Sequence, residues 1–171
     1  AAVWVREAPG TGKAVAEWMV LGESEIDLHA SNIARFSEHQ KLDSHVKARC
    51  AEGFVKTYGI VHPNEQWSSN RNVRLSPFYE REKELGAVFY ETAGWERPFW
   101  YESNAKLVEK FGARVMPRTA EWESRWWSPI INAEHLQMRE TAGIVDLSAF
   151  AIFDVTGSGA LALVQKVALR Q

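Results

Sequence analysis

Residues 8–19 have the sequence APGTGKAVAEWM, the most informative local pattern in the chain. Apolar residues from Ala14 to Met19 recur on one face of a helix, and Gly22 follows as a natural helix terminator. Residues 1–5 form an apolar run with the character of a strand. The beginning of the chain therefore predicts a strand, a glycine loop and a helix, in that order.

The predicted glycine loop contains the candidate binding residues Gly10, Thr11, Gly12 and Lys13. Glycines before a helix allow the backbone to approach a ligand closely, and the free amides and the helix dipole favour an electron-rich group there. The loop lacks the full spacing of a Walker loop or of a dinucleotide fingerprint. From the residues alone, a plain tight turn is favoured over a ligand loop, and both interpretations stay open.

Further helices and a strand are predicted along the middle of the chain. Apolar residues four apart within residues 38–58 predict an amphipathic helix; they are Leu42, Val46, Cys50 and Phe54. A short helix is predicted from Ser76 and Pro77 to Glu84, and a strand at residues 87–90. The aromatic residues crowded between 95 and 101 predict an interface between subdomains.

The periodic pattern weakens between residues 111 and 129, where glycine and prolines predict a domain boundary. Beyond it, residues 133–142 predict a short helix, and residues 144–155 are predicted to be rich in strand. A further helix is predicted to begin after Gly159. This order indicates a second α+β unit that is only begun within the chain.

Composition indicates globular protein and argues against several classes of partner. Hydrophobic residues make up 46% of the 171 residues, and the formal net charge is −2. Lys and Arg never gather into a patch that would neutralise several phosphates, so we expect no nucleic acid partner. No apolar run approaches the roughly 18 residues that a membrane span requires, so we expect no membrane span. The single cysteine, Cys50, excludes an internal disulfide and weakly favours a reducing compartment.

The spacing of the titratable residues gives little support for a catalytic or metal site. His39, His45 and Cys50 do not share one helix face, so we predict no metal site. Glu134 and His135 form a possible acid/base pair, but capping and dipole compensation of a helix explain the glutamate more simply.

Two further pairs of neighbouring residues have both a functional and a packing interpretation. Glu96 and Arg97 form either a buried ion pair or an anion site, and packing at an interface is favoured. Trp126 and Trp127 have the shape to stack on a pterin-like ring, although packing again explains them more simply.

Several segments in order resemble the dimethylglycine and sarcosine dehydrogenase family. The closing segment of that family's FAD domain is resembled by residues 8–19 with Gly22, 27–28 and 35–36. Its central domain is resembled by residues 71–79, 86–89 and 94–98. The opening of its aminomethyltransferase-like, folate-binding domain is resembled by residues 127–131 with 134–135, 139–140 and 146–148. The resemblance covers nearly the whole chain.

The resemblance implies an α+β internal fragment of a larger flavoenzyme. It places the C-terminal end of the FAD-dependent oxidoreductase domain at residues 1–36, the central domain at 37–105, a linker at 106–126 and the start of the aminomethyltransferase domain at 127–171. It also places Gly10, Thr11, Gly12 and Lys13 at the pyrimidine edge of FAD. The residues that bind and oxidise the substrate, and the carboxylate that holds folate, would lie outside the chain. We therefore expect the fragment alone to be inactive.

The activity that the resemblance implies is oxidative demethylation of an N-methyl amine such as dimethylglycine or sarcosine. FAD would accept hydride from the methyl carbon, and tetrahydrofolate would capture the one-carbon unit. The expected partners are the small methylated amine and the rest of the parent polypeptide, in the cytoplasm, or in the mitochondrial matrix of a eukaryote. The alternatives are a regulatory pseudoenzyme that resembles the regulatory subunit of pyruvate dehydrogenase phosphatase, and a free-standing structural module.

Overall fold

The computed structural model describes residues 5–168 and has the expected mixture of helices and strands. The strand predicted at the beginning of the chain falls mostly on residues 1–4, outside the described residues. Two compact units divide the chain, one ending at Cys50 and the other starting at Ala51. No helix of residues 5–168 is both long enough and apolar enough to cross a membrane.

The first unit begins with helix α1, which spans Ala8–Leu21 and ends at Gly22 with a φ of 85°. The prediction of a loop at residues 9–13 is wrong, because these residues form the first turns of α1. Pro9 lies in the first turn, where its fixed φ suits a helix, and the Thr11 amide already donates to the Glu7 carbonyl at 2.9 Å. Three short 3-10 turns follow, at His29–Ser31, Ile33–Arg35 and Glu38–Lys41.

Helix α2 spans Asp43–Tyr58 and confirms the helix predicted within residues 38–58. It starts in the first unit and ends in the second. The apolar residues that predicted it are all exposed: Leu42, Val46, Cys50 and Phe54. The periodicity thus predicted the helix correctly, although none of these side chains is buried by another part of residues 5–168.

An antiparallel hairpin forms the sheet of the second unit, with β1 at Ala87–Thr92 and β2 at Trp95–Tyr101. The strand predicted at residues 87–90 is confirmed, and the aromatic cluster turns out to form β2. Ala93 and Gly94 connect the strands, and both have a positive φ, as a tight two-residue hairpin turn requires. The short helix α3 precedes the hairpin at Tyr79–Glu84, two residues later than its predicted first helical residue, Pro77.

Three helices follow the hairpin: α4 at Lys106–Phe111, α5 at Glu123–Trp126 and α6 at Pro129–Glu140. Helix α6 packs against α4 and β2. Phe111, Val115 and Ala133 form a buried cluster with Leu107, Val108 and Leu136 around it. Two of the three buried residues, Phe111 and Val115, therefore lie within the predicted linker at residues 106–126. The domain limits themselves stay a prediction.

The last part of the chain contains helix α7 at Ala160–Val167, which confirms the helix predicted after Gly159. The strands predicted within residues 144–155 are wrong, because this segment is irregular. A strand needs a neighbour to accept its backbone hydrogen bonds, and the sheet of residues 5–168 contains only β1 and β2. Ile152 and Phe153 are 88% and 82% exposed instead of lying on a sheet face.

Candidate functional site

The start of α1 contains the four residues that the sequence singled out as a binding loop. Because α1 begins at Ala8, the amides of Gly12 and Lys13 lie within its ladder of hydrogen bonds, and Thr11 donates to Glu7. Gly10 precedes the first intrahelical bond, so its amide is the one of the four left for a ligand. No side chain of the described residues caps this helix start.

The surroundings of this helix start leave room for a flat group. A methyl group placed on Gly10 or Gly12 would meet no atom within 4 Å other than those of its chain neighbours and of the nearby backbone of α1. The Lys13 ammonium lies 3.2 Å from Glu17 Oε1 and 3.5 Å from Glu25 Oε2, and the hydrogen bond to Glu17 raises the pKa of Lys13. Space is therefore open beside each of the two glycines, on different sides of the helix, while the charge of Lys13 is already partly balanced by its neighbours.

Glu96 forms the most deeply buried ion pair of the second unit, and its partner is Arg71. Glu96 is 2% exposed and accepts hydrogen bonds from Arg71 Nε and from the Asn72 amide, both at 2.8 Å. Arg71 Nη2 binds the second carboxylate oxygen and also donates to the Phe89 carbonyl at 3.1 Å. The hydrogen bond to Glu96 raises the pKa of Arg71. This network connects β2 to the segment before α3.

The structure does not pair Glu96 with Arg97, which was one of the alternatives left open by the sequence, because successive side chains of a strand point to opposite faces. The Arg97 guanidinium lies instead over the rings of Tyr90 and Phe150, at 5.6 and 4.9 Å from their centroids. Sequence reasoning missed Arg71 as a partner because 25 residues separate it from Glu96. The signal that was available is a single carboxylate in a strand with four aromatic residues among its seven.

Glu134 has a structural role that differs from the predicted helix capping. Its Oε1 accepts hydrogen bonds from the Tyr101 amide at 3.0 Å and from Asn104 Nδ2 at 2.7 Å. The cap of α6 is Ser128, whose hydroxyl accepts from the Ile130 amide. Glu134 thus joins α6 to the end of β2 and to the turn that follows it.

The remaining candidate residues do not assemble into a reactive site. The rings of His39 and His45 are 5.3 Å apart, but residues 5–168 contain no group of three or more metal-binding side chains. Trp126 lines a cavity of about 390 Å³ in which His62 and Trp122 stack at 5.1 Å. The Trp127 carbonyl accepts a hydrogen bond from Arg118 Nε at 2.9 Å.

Comparison with protein families gives two matches along the chain. The FAD dependent oxidoreductase central domain matches residues 21–76, and the GCVT N-terminal domain matches residues 78–171. The two matches meet near residue 77, whereas the linker implied by the family resemblance lies at residues 106–126.

Individual relatives extend these matches over most of the chain. The 4-methylaminobutanoate oxidase (formaldehyde-forming) of Paenarthrobacter nicotinovorans is 38% identical over 94% of this chain and 19% of the relative. The mitochondrial sarcosine dehydrogenase of Homo sapiens is 31% identical over 86% of this chain and 18% of the relative. The mitochondrial pyruvate dehydrogenase phosphatase regulatory subunit of Mus musculus is 28% identical over 90% and 17%.

The chain thus spans about a fifth of the length of the curated relatives it matches. It matches a central domain and a GCVT N-terminal domain in succession, and its relatives include oxidases and dehydrogenases of N-methyl amines. On these grounds the chain belongs to the dimethylglycine and sarcosine dehydrogenase family of FAD-dependent oxidoreductases.

Proposed function

We propose that the complete protein oxidatively demethylates an N-methyl amine with FAD and passes the one-carbon unit to tetrahydrofolate. The observation that carries this proposal is the succession of the two domain matches, together with identities of 38% and 31% to an oxidase and a dehydrogenase of N-methyl amines. When bound, FAD supplies a two-electron acceptor for the hydride of the methyl carbon.

The start of α1 is the part of this chain that we assign to flavin binding. Gly10 would donate its amide to an electron-rich edge of the ring, in the positive field of a helix N-terminus. Gly12 would allow close approach because it has no side chain and because the space beside it is open. Thr11 and Lys13 complete the segment, with the Lys13 ammonium held near Glu17 and Glu25. The N-terminus of α1 has no side-chain cap among residues 5–168, which supports this assignment.

The proposed GCVT-type part of the protein would hold the folate, with its binding carboxylate outside this chain. The match over residues 78–171 supports a contribution of this chain to the scaffold of that domain. Two relatives are named as mitochondrial proteins of this kind. We propose the mitochondrial matrix as the location in a eukaryotic source, and the cytoplasm in a bacterial one.

The proposal is tested by adding amines anaerobically to the complete protein and following the flavin absorbance. Sarcosine, dimethylglycine and 4-methylaminobutanoate are the test compounds, and glycine and 4-aminobutanoate are matched controls without the methyl group. We expect at least one methylated compound to bleach the flavin band at a rate compatible with turnover, while its control does not. A protein that binds no flavin, or a bound flavin that none of the methylated compounds reduces, would contradict the proposal and favour a regulatory role.

A further inference from the structure

The second unit contains a small cavity between the segment that follows α2 and helix α5. Its volume is about 390 Å³, which falls in the range of about 300–1,000 Å³ typical of small-molecule sites. The residues in its wall include His62, Glu65, Glu121, Trp122, Arg125 and Trp126. All of them belong to the second unit, and the two parts of the wall are distant in the sequence. The cavity is therefore a product of the tertiary fold.

Contacts within the protein fix one side of this cavity. The ring of His62 stacks on that of Trp122, with 5.1 Å between their centroids and 12° between their planes. Glu65 Oε2 accepts a hydrogen bond from the His62 amide at 3.0 Å, and Glu65 Oε1 accepts one from Lys56 Nζ at 2.7 Å. The hydrogen bond from Lys56 lowers the pKa of Glu65. The charge of this carboxylate is therefore already balanced by Lys56, and the side of the cavity that it forms is held in place.

Three other side chains in the wall have no partner among residues 5–168. Glu121 and Arg125 are exposed, and they form no ion pair with each other or with another described residue. Trp126 is partly buried, yet its ring contacts no other aromatic ring or cation, and its indole N–H donates no hydrogen bond within that part of the chain. One negative charge, one positive charge and one indole ring are thus available in a single cavity.

These three groups complement a small molecule that carries both signs of charge. A guanidinium binds a carboxylate through parallel N–H donors, and a carboxylate attracts an ammonium group. The face of an indole ring attracts cations, and aromatic faces recognise methylated ammonium groups in particular. A ligand with a carboxylate and a methylated ammonium group would satisfy Arg125, Glu121 and Trp126 together.

We propose that this cavity binds a small zwitterion with a methylated ammonium group at one end and a carboxylate at the other, the class to which the methylated glycines belong. Arg125 binds the carboxylate, Glu121 balances the ammonium charge, and Trp126 covers the methyl groups. The inference does not depend on the proposed activity, because binding requires no oxidation of the ligand.

Other small ligands satisfy fewer of these groups. An uncharged ring would stack on Trp126 but would pair with neither charge, and a simple anion would pair with Arg125 but be repelled by Glu121. Because both charged side chains are exposed, each ion contact should strengthen binding by no more than about fivefold. We therefore expect a dissociation constant in the millimolar range.

The test is a titration of the complete protein with glycine betaine, in which 5-fluorotryptophan replaces tryptophan and ¹⁹F NMR is the readout. Glycine betaine has no unshared electron pair on its nitrogen, so it binds without being oxidised as an amine. The resonance of Trp126 is assigned by its absence from the variant Trp126→Phe. We expect this resonance to shift in a saturable manner at millimolar betaine. A resonance of Trp126 that does not shift would overturn the proposal.

Two related compounds separate the contributions of the two ends of the ligand. In 3,3-dimethylbutanoate a carbon atom replaces the charged nitrogen of betaine while the shape and the carboxylate are kept, and choline keeps the ammonium group but has no carboxylate. We expect 3,3-dimethylbutanoate to bind about fivefold or more weakly than betaine, and choline about twofold or more weakly. Binding of 3,3-dimethylbutanoate as strong as that of betaine would overturn the proposal.

Variants of the charged residues give a second measurement. Arg125→Gln and Glu121→Gln should each weaken betaine binding by about twofold to fivefold. Arg139→Gln on α6 and Glu80→Gln on α3 are matched controls at exposed positions outside the cavity, and they should leave betaine binding unchanged. Equal effects of the cavity variants and of their controls would overturn the proposal.

Discussion

Replacing Glu96 by Gln tests the buried ion pair that connects β2 to the segment before α3. The change keeps the volume of the side chain but removes its charge and one of the two oxygens that accept from Arg71 and Asn72. Loss of one partner from a buried pair costs about 3–5 kcal/mol because the other charge stays buried. The Arg71 side chain is 23% exposed, so water offsets part of this cost and we expect a loss of about 3 kcal/mol.

Urea unfolding of the chain, followed by tryptophan fluorescence, measures this loss as a change in the free energy of unfolding. The fluorescence should respond because Trp95 and Trp100 belong to the same strand as Glu96. Glu84→Gln on the exposed end of α3 is the control, and we expect it to change stability by less than about 0.5 kcal/mol. If Arg71 is first replaced by Met, Glu96 is already an unpaired buried charge, so the further change Glu96→Gln should cost nothing or restore part of the lost stability. A loss below about 1 kcal/mol in the otherwise unchanged chain would refute the reasoning.

Three further predictions concern other contacts. Burial alone would raise the pKa of Glu52, but hydrogen bonds from the Ser69 hydroxyl and from the amides of residues 68 and 69 lower it from 4.5 to about 2. The free energy of unfolding that Glu52 contributes should therefore be fully present above pH 4.5 and lost as the pH falls towards 2. Urea unfolding at several pH values should show that Glu52→Gln removes this loss of stability between pH 4.5 and 2. If the variant keeps the same pH profile, Glu52 does not cause the loss. Ser128→Ala removes the cap of α6 and should lower the free energy of unfolding by about 1 kcal/mol, whereas no loss would show that the cap contributes nothing. Gly12→Ala should stabilise α1 by up to about 1 kcal/mol, because alanine favours a helix more than glycine does. The same change should lower the flavin content of the purified complete protein, because the new methyl group occupies the space proposed for the ring. Gly53→Ala in α2 is the matched control, and equal flavin content in the two variants would argue against the assignment of α1 to flavin binding.

The helices were predictable where periodicity and capping residues act locally. Leu42, Val46 and Phe54 predicted α2 through their spacing, and Gly22 predicted the end of α1. These signals depend on residues within one or two turns of each other, so they need no knowledge of the rest of the fold. Even there the glycines predicted a loop across the first turns of α1, although Pro9 and the carbonyl of Glu7 already support a helix at that position.

The strands and the ion pairs were harder to predict because they depend on distant partners. Residues 144–155 have the composition of strands, but composition cannot supply the neighbouring strand that would accept their hydrogen bonds. Glu96 does take part in a buried ion pair, an interpretation that the sequence left open without favouring it, yet its partner is Arg71 and not the adjacent Arg97. For the candidate flavin contact, the sequence indicated the residues Gly10 to Lys13, whereas the open space beside Gly12 could be seen only in the structure.

The fate of an isotopic label tests the central claim, that this chain belongs to an enzyme that removes N-methyl groups oxidatively. The complete protein is incubated with an amine that carries ¹³C in its N-methyl group, together with tetrahydrofolate and an electron acceptor, and the products are followed by NMR. We expect the label to leave the amine and appear in the methylene group of methylenetetrahydrofolate, with one demethylated amine formed per labelled carbon transferred. Label that stays in the N-methyl group with every amine tested would contradict the account.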